Sequence, residues 1–204
     1  MTTTGKTRGR PPSSGRDEIL RATHDLLRER GIARLTTREV AERARVSEGS
    51  IFYHFTDRPG LLKAVFERSL GPLHFEPPSD DADDDLRTTL GRISARIESF
   101  LTDSLDVLMA AQADSELRDA LHGYMLDNDF GPHRGIAQIG QLIAARQAAG
   151  RVRDDVDPTV VAAMIVNDAF QRASLPKLVG HRKGIPSRKA YLDTLVVMLA
   201  PSTP

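Results

Sequence analysis

Apolar residues recur at helical spacing along most of this chain. From Arg16 onward, Ile19, Thr23, Leu26 and Leu27 fall on one face of a 3.6-residue repeat, and Gly31 stands where a C-terminal cap belongs. Thr36 and Glu39 have the spacing of a capping box, which predicts a short second helix with Val40, Ala41 and Ala44 on its apolar side. After a tight turn, Ser47 is placed to cap a third helix. In that helix Ile51, Phe52 and Phe55 are expected to face back onto the first and fourth helices. Asp57 is placed to cap the fourth, with Pro59 in its first turn and Leu61, Leu62, Val65, Phe66 and Leu70 behind it.

Residues 71–85 interrupt the pattern with prolines and a run of aspartates, the composition of a solvated linker whose last acids favour the next helix N-terminus. Leu86, Leu90, Ile93, Ile97 and Leu101 then step by three and four, as in a long amphipathic helix. Further helices are predicted over 116–126, 135–149, 158–175 and 191–199, with a basic loop near 180–189 before the last. No alternating strand and no Asn-Gly hairpin signal stands out. The predicted fold is all-α, with about nine helices: an N-terminal three-helix domain and a C-terminal helical bundle. The expected divisions are a disordered tail (1–15), a first helical domain (16–70), a linker (71–85) and a second helical domain (86–204).

Charge changes this picture more than composition does. The net charge is zero, yet residues 1–70 hold 14 Lys/Arg against 9 Asp/Glu, and the remainder holds 14 against 19. A basic first third points toward a polyanion. Cysteine is absent, which excludes disulfides, thiolate catalysis and Cys-based zinc sites. No apolar run is long enough for a membrane span and no secretory h-region is evident, so a cytoplasmic location without a membrane partner is expected. There is no glycine-rich phosphate loop, no activated nucleophile and no His/carboxylate metal spacing, so neither an enzyme nor a bound metal or cofactor is expected.

Residues 36–55 have the layout of a helix-turn-helix: a capped short helix, a tight turn and a second capped helix. The second helix carries Ser47, Glu48, Gly49 and Ser50 at its N-terminal end. Small side chains let a helix sink into the major groove and present polar groups to base edges. Tyr53 and His54 follow, with an O–H and a ring N–H suited to phosphate oxygens.

These residues resemble the TetR-type bacterial regulators. The resemblance is carried by Thr37-Arg38-Glu39-Val40-Ala41, by Val46 through Phe55 (VSEGSIFYHF), and by Leu61-Leu62. It implies that Thr37 contacts phosphate, that Arg38 reaches a base or the backbone, that Glu48, Gly49 and Ser50 read bases, and that Tyr53 and His54 clamp phosphate. Arg58 falls where the family usually has a phosphate-contacting Lys. Two positions depart from the pattern: Arg45 stands in a turn where Gly is usual, and Phe52 where Tyr is frequent. The resemblance also implies a homodimer through the last two helices, two recognition helices about one DNA turn apart on a pseudo-palindrome, and a small-molecule effector pocket among the helices between about 86 and 175. His122, Tyr124, His133, Asn167 and Asp168 are the candidate pocket residues; the last two interrupt an apolar helix and, if buried, require partners in a ligand, a neighbouring helix or the dimer mate.

The expected function is thus a repressor released from double-stranded DNA by a small molecule. The alternative is an activator or architectural protein without a ligand. In the tail, Arg8-Gly9-Arg10-Pro11 resembles the core of an AT-hook, so Arg8 and Arg10 either enter a minor groove or add nonspecific phosphate attraction.

Overall fold

The computed structural model describes residues 12–70 and 85–201. Arg8, Arg10 and most of the predicted linker lie outside the described residues. Within them the chain is helical, with nine α-helices and one short 3-10 turn. The described residues gather into two compact units: 12–70 together with 106–123, and 85–105 together with 124–201. The first unit is therefore not contiguous in sequence.

The first unit is built on α1 (Pro12–Arg30), which begins four residues before Arg16, where the apolar pattern starts. Proline suits a first turn because an N–H there has no intrahelical acceptor. Ile19, Leu26 and Leu27 of α1 are buried, and so is Thr23, whose hydroxyl donates to the Ile19 carbonyl at 2.8 Å. Gly31 ends α1 at φ 70 and leads into the 3-10 turn Ile32–Arg34, which the apolar pattern does not announce. Three more helices follow: α2 (Thr37–Ala44), α3 (Glu48–Phe55) and α4 (Arg58–Leu70). Val40, Ile51, Leu61, Leu62 and Phe66 complete a dry core with α1. Burial of each such side chain stabilises the unit by about 1.5–3 kcal/mol.

Helix α5 (Leu86–Gln112) runs 27 residues, well beyond Leu101. Asp85 opens it by accepting the Thr88 N–H at 2.8 Å, and that bond holds its carboxyl below the usual carboxylate range. The end of α5 and much of α6 (Ser115–Asp127) belong to the first unit, where Leu117 and Leu121 are buried.

The second unit packs the start of α5 with α7 (Pro132–Ala148), α8 (Pro158–Val179) and α9 (Arg188–Leu199). Leu90, Ile93, Ile139, Ile143, Ile165 and Leu195 form its centre. Asp157 caps α8 through the Thr159 and Val160 N–H groups, and Ser187 caps α9 through that of Ala190. Helix α8 carries Pro176 inside its last turns and stops at Gly180, φ 77. Among the described residues no helix is long and apolar enough to cross a membrane.

Candidate nucleic-acid interface

The helix-turn-helix is positioned from α1. Arg43 of α2 forks onto Glu29 of α1 with bonds of 2.9 and 2.7 Å, and this partner holds the Glu29 carboxyl below its ordinary range. Arg30 reaches Glu39 at 2.9 Å. The Thr36 hydroxyl accepts the Glu39 N–H at 3.2 Å and faces the Glu39 carboxylate at 3.1 Å. The predicted capping box is thus half formed by backbone, while Glu39 turns to Thr36 and Arg30 with its side chain.

The turn is closed by the Val46 N–H on the Ala41 carbonyl at 3.0 Å, a Schellman-type closure that places Arg45 in the left-handed region at φ 56, ψ 43. Its side chain is exposed. Ser47 caps α3 by accepting the Ser50 N–H at 3.2 Å, and the two hydroxyls lie 2.8 Å apart. Thr37 donates to Glu48 at 2.5 Å, tying the first residues of α2 and α3 together.

This arrangement divides the faces of α3. Ile51 and Phe55 are buried, while Ser47, Glu48 and Gly49 are exposed and Ser50 is half-buried. Tyr53 is 83% exposed, with half-buried His54 edge-on to it at 5.1 Å between ring centroids. Phe52 requires a correction. It is not buried against the neighbouring helices as Ile51 and Phe55 are; it is 48% exposed. One residue past Ile51, it is turned about 100° away from the core stripe. Nothing but that angular step could have identified it. Arg16 of α1 lies over the buried Phe55 ring, 5.3 Å from its centroid.

Arg38 is exposed and pairs with Glu42 one turn on, at 3.2 Å. Arg58 is more constrained. Its guanidinium donates to the Ile32 carbonyl at 3.0 Å and stands 3.9 Å from Asp114, which also accepts the Leu117 N–H at the start of α6.

His122 and Asn167 are exposed, Tyr124 stacks on Phe130 at 5.9 Å, and His133 pairs with Asp129 at 3.1 Å. Asp168 is buried, but its partner is Arg172 of its own helix, at 2.7 and 3.0 Å. That is none of the three partners the sequence suggested, although the i, i+4 spacing was there to be read.

Comparison with known proteins agrees with this geometry. Residues 19–65 match the model of the bacterial regulatory proteins, tetR family. The HTH-type transcriptional repressor Rv3405c of Mycobacterium tuberculosis is 35% identical over 193 residues, spanning 86% of this chain and all of that relative. The chain belongs to the TetR family. It is a helix-turn-helix, DNA-binding transcriptional regulator. A tetracycline repressor protein of class A from Escherichia coli is 40% identical over 72 residues, covering 35% of this chain and 33% of that protein. Among solved structures, NalD, the secondary repressor of the MexAB-OprM multidrug efflux pump in Pseudomonas aeruginosa, shares the fold with a TM-score of 0.63 at 19% identity, covering 94% of this chain and all of that one. SmeT, solved in complex with triclosan, has a TM-score of 0.65 at 18% identity over 93% of this chain and 96% of that chain.

Proposed function

We propose that this TetR-family chain is a homodimeric repressor that leaves a pseudo-palindromic operator when a small molecule binds. The observation that carries the DNA reading is the division of α3: small polar residues at its N-terminal end and exposed Tyr53 toward its C-terminal end, fixed by buried Ile51 and Phe55. In this reading Glu48, Gly49 and Ser50 meet bases, and Thr37, Arg38, Tyr53 and His54 meet phosphate. Ser47 shapes the end of the helix.

Dimerisation through α8 and α9 is supported by their exposed apolar side chains, Val160, Met164, Phe170, Leu178, Val197 and Met198. Apolar groups on that scale are usually covered by a partner. Residues 16–70 then read DNA and residues 86–204 hold the effector and the dimer contact. Release follows a population shift: the ligand binds better to a conformation whose recognition helices no longer match the operator spacing. The naming of a full-length relative as a repressor supports this direction of control.

The test uses the full chain and DNA upstream of its own gene. Retention in a gel should be sequence-specific, and a compound that enters the second unit should abolish it. In a deletion strain the target transcripts should rise. A fall would establish an activator instead.

A further inference from the structure

The segment from the end of α8 into the first turn of α9 carries Arg182, Lys183, Arg188 and Lys189 without one acid. Part of it lines an open cleft of about 290 Å³ in the second unit. Three guanidinium groups reach its wall: Arg172 from α8, Arg182 from the loop and Arg188 from the first turn of α9. Arg172 is 4% exposed and is held from behind by Asp168. Glu98 of α5, also buried, faces the other two, with bonds of 2.5 Å from Arg188 and 3.5 Å from Arg182. The Nε of Arg188 is shielded from solvent and has no hydrogen-bond partner.

Three cations stand here against two carboxylates, and one of those carboxylates is shared between two forks. A guanidinium offers five N–H donors in a planar fork that matches a carboxylate. The unmet charge is a single positive one. A phosphate dianion would exceed it and would meet repulsion from Glu98. Ile185 and Pro186 supply an apolar stretch of wall for the body of a ligand. The volume lies at the low end for small-molecule sites.

We infer that this cavity binds a small organic monocarboxylate, its carboxylate held by Arg182 and Arg188 and its hydrocarbon part against Ile185 and Pro186. The site deepens the ligand-released reading and rests on it for the regulatory consequence. The incoming carboxylate competes with Glu98 for the same forks, so binding loosens the tie between α5 and the loop.

The test is calorimetric titration of the full-length protein at constant ionic strength with benzoate, its neutral analogue benzamide, and inorganic phosphate. Benzoate should bind once per chain, phosphate more weakly and benzamide not at all. Arg188→Gln should weaken benzoate by about ten-fold or more, the loss of one charge-assisted bond. Glu98→Gln should tighten it, because the competitor is gone; a merely structural ion pair would not produce that gain. Arg182→Gln serves if Arg188→Gln does not fold, as judged by circular dichroism. The inference is overturned if benzoate does not bind, if benzamide or phosphate binds as well, or if the arginine variants and Glu98→Gln leave benzoate affinity unchanged. Operator retention is measured separately. If benzoate binds as described and DNA is still held, the site stands and ligand-released repression fails. Release by benzoate that persists at full strength in Arg188→Gln overturns the site and keeps the repression.

Discussion

Thr37 and Glu48 are eleven positions apart in sequence, yet the hydroxyl of the first donates to the carboxylate of the second at 2.5 Å, across the turn of the helix-turn-helix. The bond occupies both a residue assigned to phosphate and a residue assigned to bases. Glu48→Ala should therefore free the Thr37 hydroxyl and remove a negative charge. Binding to scrambled DNA should rise, and discrimination at one base pair should fall by about 1–3 kcal/mol. Fluorescence anisotropy on operator and scrambled duplexes measures both. Unchanged discrimination would leave Glu48 a purely structural partner of Thr37.

Arg45 occupies a left-handed backbone conformation, φ 56, that glycine adopts without penalty. Arg45→Gly should stabilise the protein by about 0.5–1 kcal/mol in urea unfolding. If its exposed guanidinium meets a phosphate in the complex, the same change should lower the salt slope of DNA binding by about one. A stability gain with an unaltered slope would remove Arg45 from the DNA contacts.

Arg58 should behave in the opposite way. Its hydrogen bond to the Ile32 carbonyl and its ion pair with Asp114 make it a strap within the first unit. Arg58→Ala is expected to lower stability by about 0.5–1.5 kcal/mol, the loss of a charged donor from a carbonyl that keeps the Leu35 N–H, with the salt slope preserved. A normal thermal midpoint combined with a reduced slope would restore the phosphate role implied by the family pattern.

The junction after the recognition helix is tight. Thr56 sits at φ 65, ψ −52, and the Asp57 N–H reaches back to the Phe55 carbonyl at 2.7 Å, a strained three-residue turn. That carbonyl presses against Gly60, where a Cβ would collide with it. Gly60→Ala should cost about 2 kcal/mol or more, whereas Thr56→Gly should relieve about 1 kcal/mol. Denaturation midpoints that move by equal small amounts for both would contradict this account.

Tyr191 reports on the second unit. Its hydroxyl is shielded and has no hydrogen-bond partner; burial, and then the negative charge of Asp168, push its pKa up from 10.0 to about 12. Below the unfolded value both states keep the proton. Between 10.0 and about 12 the unfolded chain releases it first, so the folded state loses stability as pH rises through that window. Tyr191→Phe should remove this part of the alkaline loss and gain about 1 kcal/mol near neutrality. Thermal melts of the two proteins from neutral to alkaline pH make the comparison, and parallel curves would refute it.

Much of the first unit was legible because its signals act over a few residues. Thr36, Ser47 and Asp57 all cap the helices that their positions foretold. The stripe of Ile19, Thr23, Leu26 and Leu27 is buried as its period requires. Phe52 was misplaced by that same reasoning, since an apolar residue beside a core position was assigned to the core. In the second unit, apolar steps located α7, α8 and α9 but not the polar groups between them. The histidines, selected for residue type, and Asn167, selected because it interrupts an apolar helix, are exposed or locally paired.

The sequence by itself determined most of the helices, their caps and the helix-turn-helix, because hydrophobic periodicity and capping chemistry are local. The family pattern marked Arg45 as standing where Gly is usual, and the structure gave the reason, a φ of 56. Only the tertiary structure decided which distant charges meet. Arg58 finds a carbonyl 26 residues away, and Glu98 finds Arg188 across 90 residues. Such pairs depend on how packed helices bring side chains together, and no spacing along the chain encodes that distance. The same holds for the arginine-lined cavity: the basic loop was visible as charge, but the buried carboxylate that gives it selectivity came from the other end of the unit's sequence.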